Sequence, residues 1–302
     1  MKLEANGIQI EVEDTGGAGD AVLLLMGLGG QLIHWPEPFV SALARAGHRV
    51  IRIDNRDAGL STHFSELGVP NIAIEGLKRV LGAVPRAPYS LTDMARDAVG
   101  VLDALGVAKA HIVGMSMGGM IAQRIAIAAP ERCLSLTSIM SSSGARGLPG
   151  LQPKVLRVML TKPRGRSPEA VERYYLNFFK AVGSPAFPVP EDALREVIRQ
   201  TVARSYDPAG NLRQLAAVMA DTTRASELAQ IRCPTLVLHG RDDPFVLIEC
   251  GRDTARRIAG ARFVAIDGMG HDLAPQVCDA LLLHMLGFLN QHRNVSTVGA
   301  RA

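Results

Sequence analysis

The sequence predicts an α/β protein with a mostly parallel central sheet, flanking helices and a helical insertion. Three observations lead there. Short continuous apolar runs recur along the 302 residues, helical patterns fill the gaps between them, and this rhythm breaks between about residues 145 and 226. Apolar runs of strand length without polar alternation fit strands buried on both faces. Their alternation with helices implies βαβ units and an open, doubly wound sheet.

In chain order, "GIQIEVED" alternates apolar and polar residues and reads as an early, half-exposed strand. "AVLLLMG" (21–27), "RVIRID" (49–54) and "AHIVGM" (110–115) are buried-strand runs, as are "CLSLTSIMSS" (133–142), "PTLVLHG" (234–240) and "ARFVAIDG" (261–268). Between them, "EPFVSALARAG" (37–47) repeats apolar residues at helical spacing and stops at Gly47. "LTDMARDAVGVLDALG" (91–106) has an apolar face of Met94, Ala98, Val101, Leu102 and Leu105, with Thr92 as its expected N-cap. "MGGMIAQRIAIAAP" is a helix ending at Pro130, and "PQVCDALLLHMLGFLNQ" closes the fold.

The interrupting stretch is rich in proline, including positions 149, 153, 163, 168, 185, 188 and 190. It contains helical pieces such as "EAVERYYLNFFKAV" and "EDALREVIRQTVARSY" but no buried-strand run. The expected organisation is therefore a core of residues 1–144 and 227–290, a helical cap of residues 145–226 over the sheet, and a flexible tail of residues 291–302.

Composition narrows the function. Apolar residues make up 47%, enough for a large core. The net charge is +4 and the isoelectric point about 9.0, but the cations form no stripe. Their densest cluster, Lys162, Arg164 and Arg166, reads as a solvated loop. With aromatics at 4% and no nucleic-acid-binding signature, no nucleic-acid partner is expected. Cys133, Cys233, Cys250 and Cys278 lie in neither CxxC nor zinc spacing, and Cys233 reads as a small core residue. The first residues are charged and alternating, unlike a signal peptide, and no apolar run nears the ~20 residues of a membrane span. The expectation is a cytoplasmic protein with no membrane partner and no metal.

"VGMSMGGM" (113–120) carries the chemistry. Ser116 stands between Gly114 and Gly118, directly after a strand and before a helix. A turn this tight strains the serine backbone and requires glycine two residues to either side. It projects the hydroxyl beyond the sheet edge, at a helix start that favours developing negative charge. Ser116 is thus a candidate nucleophile, which needs a base. In such a sheet the chain order is serine, acid, histidine. "LVLHGRDDPFV" offers Asp242 and Asp243, and "IDGMGHDLAPQV" offers His271, each in a loop leaving the carboxyl end of a strand on the rim where ligands bind. His239 is expected to brace the acid loop and His34 to line the pocket mouth; Asp267 and Asp272 are weaker candidate acids, being close in sequence to His271. For the oxyanion, the donors expected are the backbone N–H groups of Met117, after the nucleophile, and Leu28, after "LLLMG".

Together, "LLLMGLGG", "DNRDAGLST", "VGMSMGGMIAQ", "LHGRDDP" and "GMGHDL" resemble a serine hydrolase of the α/β-hydrolase superfamily, in that family's order and over nearly the whole chain except the insertion. Asp243, three residues after Gly240 and just before Pro244, is the preferred acid, partly on this resemblance. Met26-Gly27 in place of the usual His-Gly, Arg56-Asp57 within "DNRDAGLST", and Trp35-Pro36 resemble the aclacinomycin methylesterase group. That resemblance implies ester cleavage: such relatives remove a methyl ester from a polyketide antibiotic, and related sequences include enzymes that open macrolide lactones. The missing histidine removes one brace of the loop bearing Leu28.

The substrate expected is a small hydrophobic carboxylic ester or lactone, with Gly29, His34 and Trp35 as candidate binding residues and no cofactor. Tyr174, Tyr175, Phe178, Phe179 and Phe187, with Met159 and Met219, are available to form a mainly apolar pocket. Carbon–carbon bond hydrolysis and cofactor-free perhydrolysis share the "SMGG" pattern and stay open, as does a ligand receptor without catalysis. No sequence feature speaks to oligomeric state.

Overall fold

The computed structural model describes residues 1–161 and 167–294. The cluster Lys162, Arg164 and Arg166, and most of the expected tail, lie outside them. Eight strands form one sheet: β1 (Lys2–Ala5), β2 (Ile8–Asp14), β3 (Ala21–Leu25), β4 (Arg49–Ile53), β5 (Ala110–Met115), β6 (Cys133–Ile139), β7 (Thr235–Gly240) and β8 (Arg262–Ile266). Their spatial order is β1-β2-β4-β3-β5-β6-β7-β8. β1 and β2 pair antiparallel, as do β2 and β4, and every later pairing is parallel.

The apolar runs divide between the two faces because side chains alternate along a strand. Leu23, Leu25, Ile51, Ile53 and Ile112 pack on one side with α3 (Leu91–Ala104) and α4 (Met117–Ala128). Val22, Leu24, Val50, Val113, Leu236 and Leu238 pack on the other with α1 (Glu37–Arg45) and α11 (Pro275–Gln291). The N-cap of α3 lies two residues before the expected Thr92: Ser90 accepts from the Asp93 N–H and the Asp93 side chain accepts from the Ser90 N–H, a reciprocal capping box. A helix absent from the sequence expectation, α2 (Ile72–Val80), lies between β4 and α3.

The chain between β6 and β7 holds α5 (Pro153–Leu160), α6 (Pro168–Val182), α7 (Glu191–Arg204), α8 (Pro208–Ala220) and the short α9 (Arg224–Glu227), with no strand among its described residues. Helix α10 (Ile248–Arg257) links β7 to β8. Among the described residues no helix is long and apolar enough to cross a membrane. The chain reverses its direction of travel across the sheet at β3: β4 lies on one side of it and β5 on the other. The loops leaving β3 and β5 therefore face each other across the crevice where open α/β sheets bind ligands.

Candidate active site

Ser116 connects β5 to α4 at φ 55° and ψ −120°. A positive φ at a non-glycine residue costs on the order of 1–3 kcal/mol and persists only when the surroundings enforce it. Here the Ser116 N–H donates to Ile139 O at 2.9 Å, and its carbonyl accepts from the Gly119 N–H and from Ser141 Oγ. A Cβ at Gly114 would lie 2.1 Å from Gly118 O, and one at Gly118 would lie 2.0 Å from Leu25 O. The glycines thus let the turn close on itself and on the end of β3.

The structure brings Ser116, His271 and Asp243 together. His271 Nε2 is 3.1 Å from Ser116 Oγ, and Nδ1 is 2.7 Å from Asp243 Oδ2. The carboxylate accepts from Nδ1–H, which leaves Nε2 free to accept from the serine hydroxyl. Asp243 is buried, and its other oxygen accepts from the N–H groups of Phe245 and Val246, both at 2.9 Å. His239 lies 3.6 Å from Asp243 and donates through Nε2 to Val246 O at 2.7 Å. Burial holds the His239 ring below the usual histidine pKa, so it braces the acid loop as a neutral group. Asp242 accepts from the Gly268 N–H, Asp267 pairs with Arg241, and Asp272 accepts from Ser184, so none of the three faces His271 Nδ1.

The Met117 and Leu28 N–H groups donate no hydrogen bond among the described residues. Gly27 rests against the nucleophile; a Cβ there would be 3.1 Å from Ser116 Cβ. This brings the loop after β3 alongside the serine.

The residues expected to bind substrate are otherwise engaged. The Gly29 N–H donates to Gln214 Oε1 at 2.8 Å. Nε2 of His34 is 2.7 Å from Thr201 Oγ1 of α7, and its Nδ1 accepts from the Gln31 N–H, so the ring ties the loop to the inserted helices. Burial and the nearby Arg204 push its pKa down to about 4. Trp35 is fully buried and stacks on Phe39 at 5.4 Å in the core on the face that carries α1 and α11.

A family model for the alpha/beta hydrolase fold matches residues 20–275. The chain belongs to the α/β-hydrolase family. It is 33% identical over 292 residues to rhodomycin D methylesterase DauP of Streptomyces sp. (strain C5), covering 89% of this chain and 91% of that one. It is 32% identical over 292 residues to rhodomycin D methylesterase DnrP of Streptomyces peucetius, with the same coverage. Among solved structures, the enol-lactonase from Burkholderia xenovorans LB400 shares the fold, with TM-score 0.69 and 22% identity over 96% of this chain and all of that one.

Several residues of this hydrolase site escaped the sequence reading. Gln214, buried on α8, accepts from Gly29 and donates to Arg56 O at 2.7 Å, bracing the loop that lacks its usual histidine. Asn55 donates to Met26 O at 3.0 Å in the same loop. Ser184, just past α6, accepts from the Gly270 N–H at 2.8 Å, and the His271 N–H donates to Val182 O at 2.8 Å. Asn55 left a signal within the motif "DNRDAGLST", and Phe245 left one two residues after Asp243; the Phe245 ring meets His271 edge-on at 4.9 Å.

From Phe245 the aromatic contacts continue to Phe178 at 5.8 Å, then through Phe179 to Tyr175. Tyr175 also meets Tyr206 edge-on at 6.3 Å, and the Asn211 side chain of α8 sits beside Gly29. Aromatic side chains thus lead from the histidine to the loop after β3. Phe187 packs near Gly268 against the core, and Met219 lies against Gly76 of α2.

Asp57, His63 and Asp207 lie close enough together to share a cation. Arg213 already occupies that position, with its guanidinium bidentate on Asp57 and 3.1 Å from Asp207.

Proposed function

We propose that this protein is a serine hydrolase that cleaves carboxylic esters or lactones with an apolar acyl part through an acyl-enzyme. The observation that carries the reading is the unbroken hydrogen-bond line from Ser116 Oγ through His271 to Asp243, on the crevice rim beside two uncommitted N–H groups.

His271 Nε2 takes the Ser116 proton as Oγ attacks the ester carbonyl, and Asp243 stabilises the imidazolium. The oxyanion gathers charge near the N–H groups of Met117 and Leu28, each donor being worth about 3–4 kcal/mol of barrier. The imidazolium then protonates the leaving alkoxide. Water, deprotonated by the same ring, attacks the acyl-enzyme and releases the acid. In a lactone the leaving alkoxide stays tethered to the acyl chain, and the product is a hydroxy acid. Protein groups and water suffice for every step. The aromatic residues around Phe178 and Tyr175 favour an extended apolar acyl group, and the rhodomycin D methylesterase relatives support a small alkoxy leaving group.

The test compares wild type with Ser116→Ala on p-nitrophenyl acetate and butyrate, alongside labelling by a fluorophosphonate. The variant should lose at least about 10⁴-fold in kcat and all labelling. Equal rates from the two proteins would overturn the reading. Faster turnover of a vinylogous diketone, or peroxide-dependent peracid formation outrunning ester hydrolysis, would move the same residues to different chemistry.

A further inference from the structure

Helix α2 is turned inside out. Its charged residues face the protein: Glu75 is 8% exposed and accepts from Lys78 Nζ at 2.7 Å and from the Arg86 N–H at 2.6 Å. The Arg79 guanidinium donates to Met219 O and Gly144 O. The apolar residues point outward. Ile74 is 52% exposed, Leu77 58%, Val80 83% and Leu81 75%, and Val84 continues the face at 64%. Soluble monomers seldom present so contiguous an apolar patch without a partner for it.

The surroundings say which partner fits. Glu75, buried and paired, is the sole acidic residue between positions 67 and 90, and positions 132–168 contain none. Arg86 is exposed beside this face, and the exposed Arg146 is anchored there by a 3.1 Å hydrogen bond to Gly82 O. The patch therefore combines outward aliphatic side chains with cations and no exposed carboxylate from these two segments. A second copy of the chain fits poorly: a two-fold contact sets a patch against itself, which would oppose these arginines to their own copies. Aliphatic residues flanked by arginine are instead the composition of helices that lie in the interface of an anionic bilayer.

We infer that α2 and the turn after it form a peripheral docking surface for an anionic lipid membrane. The helix lies in the headgroup layer without crossing it, Leu77, Val80 and Leu81 enter the acyl boundary, and Arg86 and Arg146 meet the headgroups. This inference stands independently of the esterase reading, because the surface contains neither Ser116 nor His271.

The test is sedimentation of the full chain with vesicles of phosphatidylcholine alone or mixed with phosphatidylglycerol, at low and high salt. Wild type should bind the mixed vesicles at least about tenfold more tightly, with the preference lost at high salt. Leu77→Gln/Val80→Gln/Leu81→Gln alters only exposed side chains and should abolish binding to both kinds of vesicle. Arg86→Glu/Arg146→Glu should remove the anionic preference, each basic residue near such a surface being worth about fivefold. Both variants should hydrolyse a water-soluble ester at the wild-type rate. Wild type left in the supernatant, or a triple variant that sediments like wild type, would overturn the inference. So would a wild-type dimer that the triple variant converts to monomer, since a second copy would then cover the face.

Discussion

Replacing Gln214 with leucine separates positioning from stability at the proposed oxyanion site. The side chain is fully buried and makes two hydrogen bonds, from the Gly29 N–H at 2.8 Å and to Arg56 O at 2.7 Å. Leucine has nearly the same volume, so little cavity forms, but the buried Arg56 carbonyl and the half-buried Gly29 N–H lose their partners. At about 1–3 kcal/mol for each unsatisfied group, the fold should lose about 2–6 kcal/mol. Catalysis should suffer separately. Gly29 follows Leu28 directly, so freeing its N–H loosens the peptide that would aim Leu28 at the oxyanion. Complete loss of such a donor is worth about 3–4 kcal/mol; a displaced donor retains part of that, so kcat should fall about ten- to hundredfold with KM nearly constant. Steady-state hydrolysis of p-nitrophenyl butyrate measures this, and the Ki of a trifluoromethyl ketone, whose adduct carries a comparable oxyanion, should rise by the same factor. Gln214→Glu keeps an acceptor for Gly29 and should recover most of kcat. A Gln214→Leu enzyme that is less stable but keeps wild-type kcat and Ki would refute the argument, leaving the loop to the Gly30-to-Gly27 turn and Asn55.

Two further perturbations follow from the same geometry. Gly118→Ala places a Cβ 2.0 Å from Leu25 O, so the end of β3 or the start of α4 must move; stability should fall by at least about 2 kcal/mol with a large loss of activity, whereas Gly287→Ala, with nothing within 4 Å in α11, should gain about 0.5–1 kcal/mol in urea unfolding. Acid should destabilise the fold through His111: burial first, then the nearby His48, pushes its pKa down to about 3, so the folded ring stays neutral while the unfolded chain takes up a proton below about pH 6.5. This contribution is fully present above pH 6.5 and is lost as pH falls toward 3, at about 1.4 kcal/mol per pH unit; His111→Asn, which can keep the contact with Ser135 Oγ, should flatten the decline between pH 6 and 5, and an unchanged slope would refute the assignment.

What the sequence revealed depended on the distance over which each constraint acts. Ser116 was legible because its constraint is local: Gly114 and Gly118 lie two residues away and must be small for the turn to close. Asp243 and His271 were legible because each follows an apolar run that forms a parallel strand, buried in β7 and half-buried at the edge strand β8, and in a parallel sheet all such loops emerge on one rim. Gln214 was not. Its partner Gly29 is 185 residues away, and nothing within α8 distinguishes a glutamine that braces a loop from one that faces water. Trp35 misled for a related reason: it sits near the loop after β3 in sequence, yet the short turn Leu32–His34 redirects the chain and sends the indole into the core on the face that carries α1 and α11. Helix α2 went unrecognised because its larger apolar residues stay mostly exposed and its buried face carries Glu75, so no core-facing apolar stripe marks it.

The inserted helices hold the loops that carry the proposed catalytic groups. The His271 N–H donates to Val182 O at the end of α6, the Gly270 N–H donates to Ser184 just beyond it, and the Gly29 N–H donates to Gln214 of α8. A Cβ at Gly270 would lie 2.6 Å from Gly183 O, so the base loop and the end of α6 are in backbone contact. The aromatic side chains that would meet an acyl group, Phe178 and Tyr175, stand on this same α6. A substitution that tilts α6 to admit a larger substrate therefore also moves the carbonyl that seats His271. Selectivity and turnover should change together for alterations along that helix. The same coupling holds at Phe245, whose ring meets both Phe178 of α6 and His271.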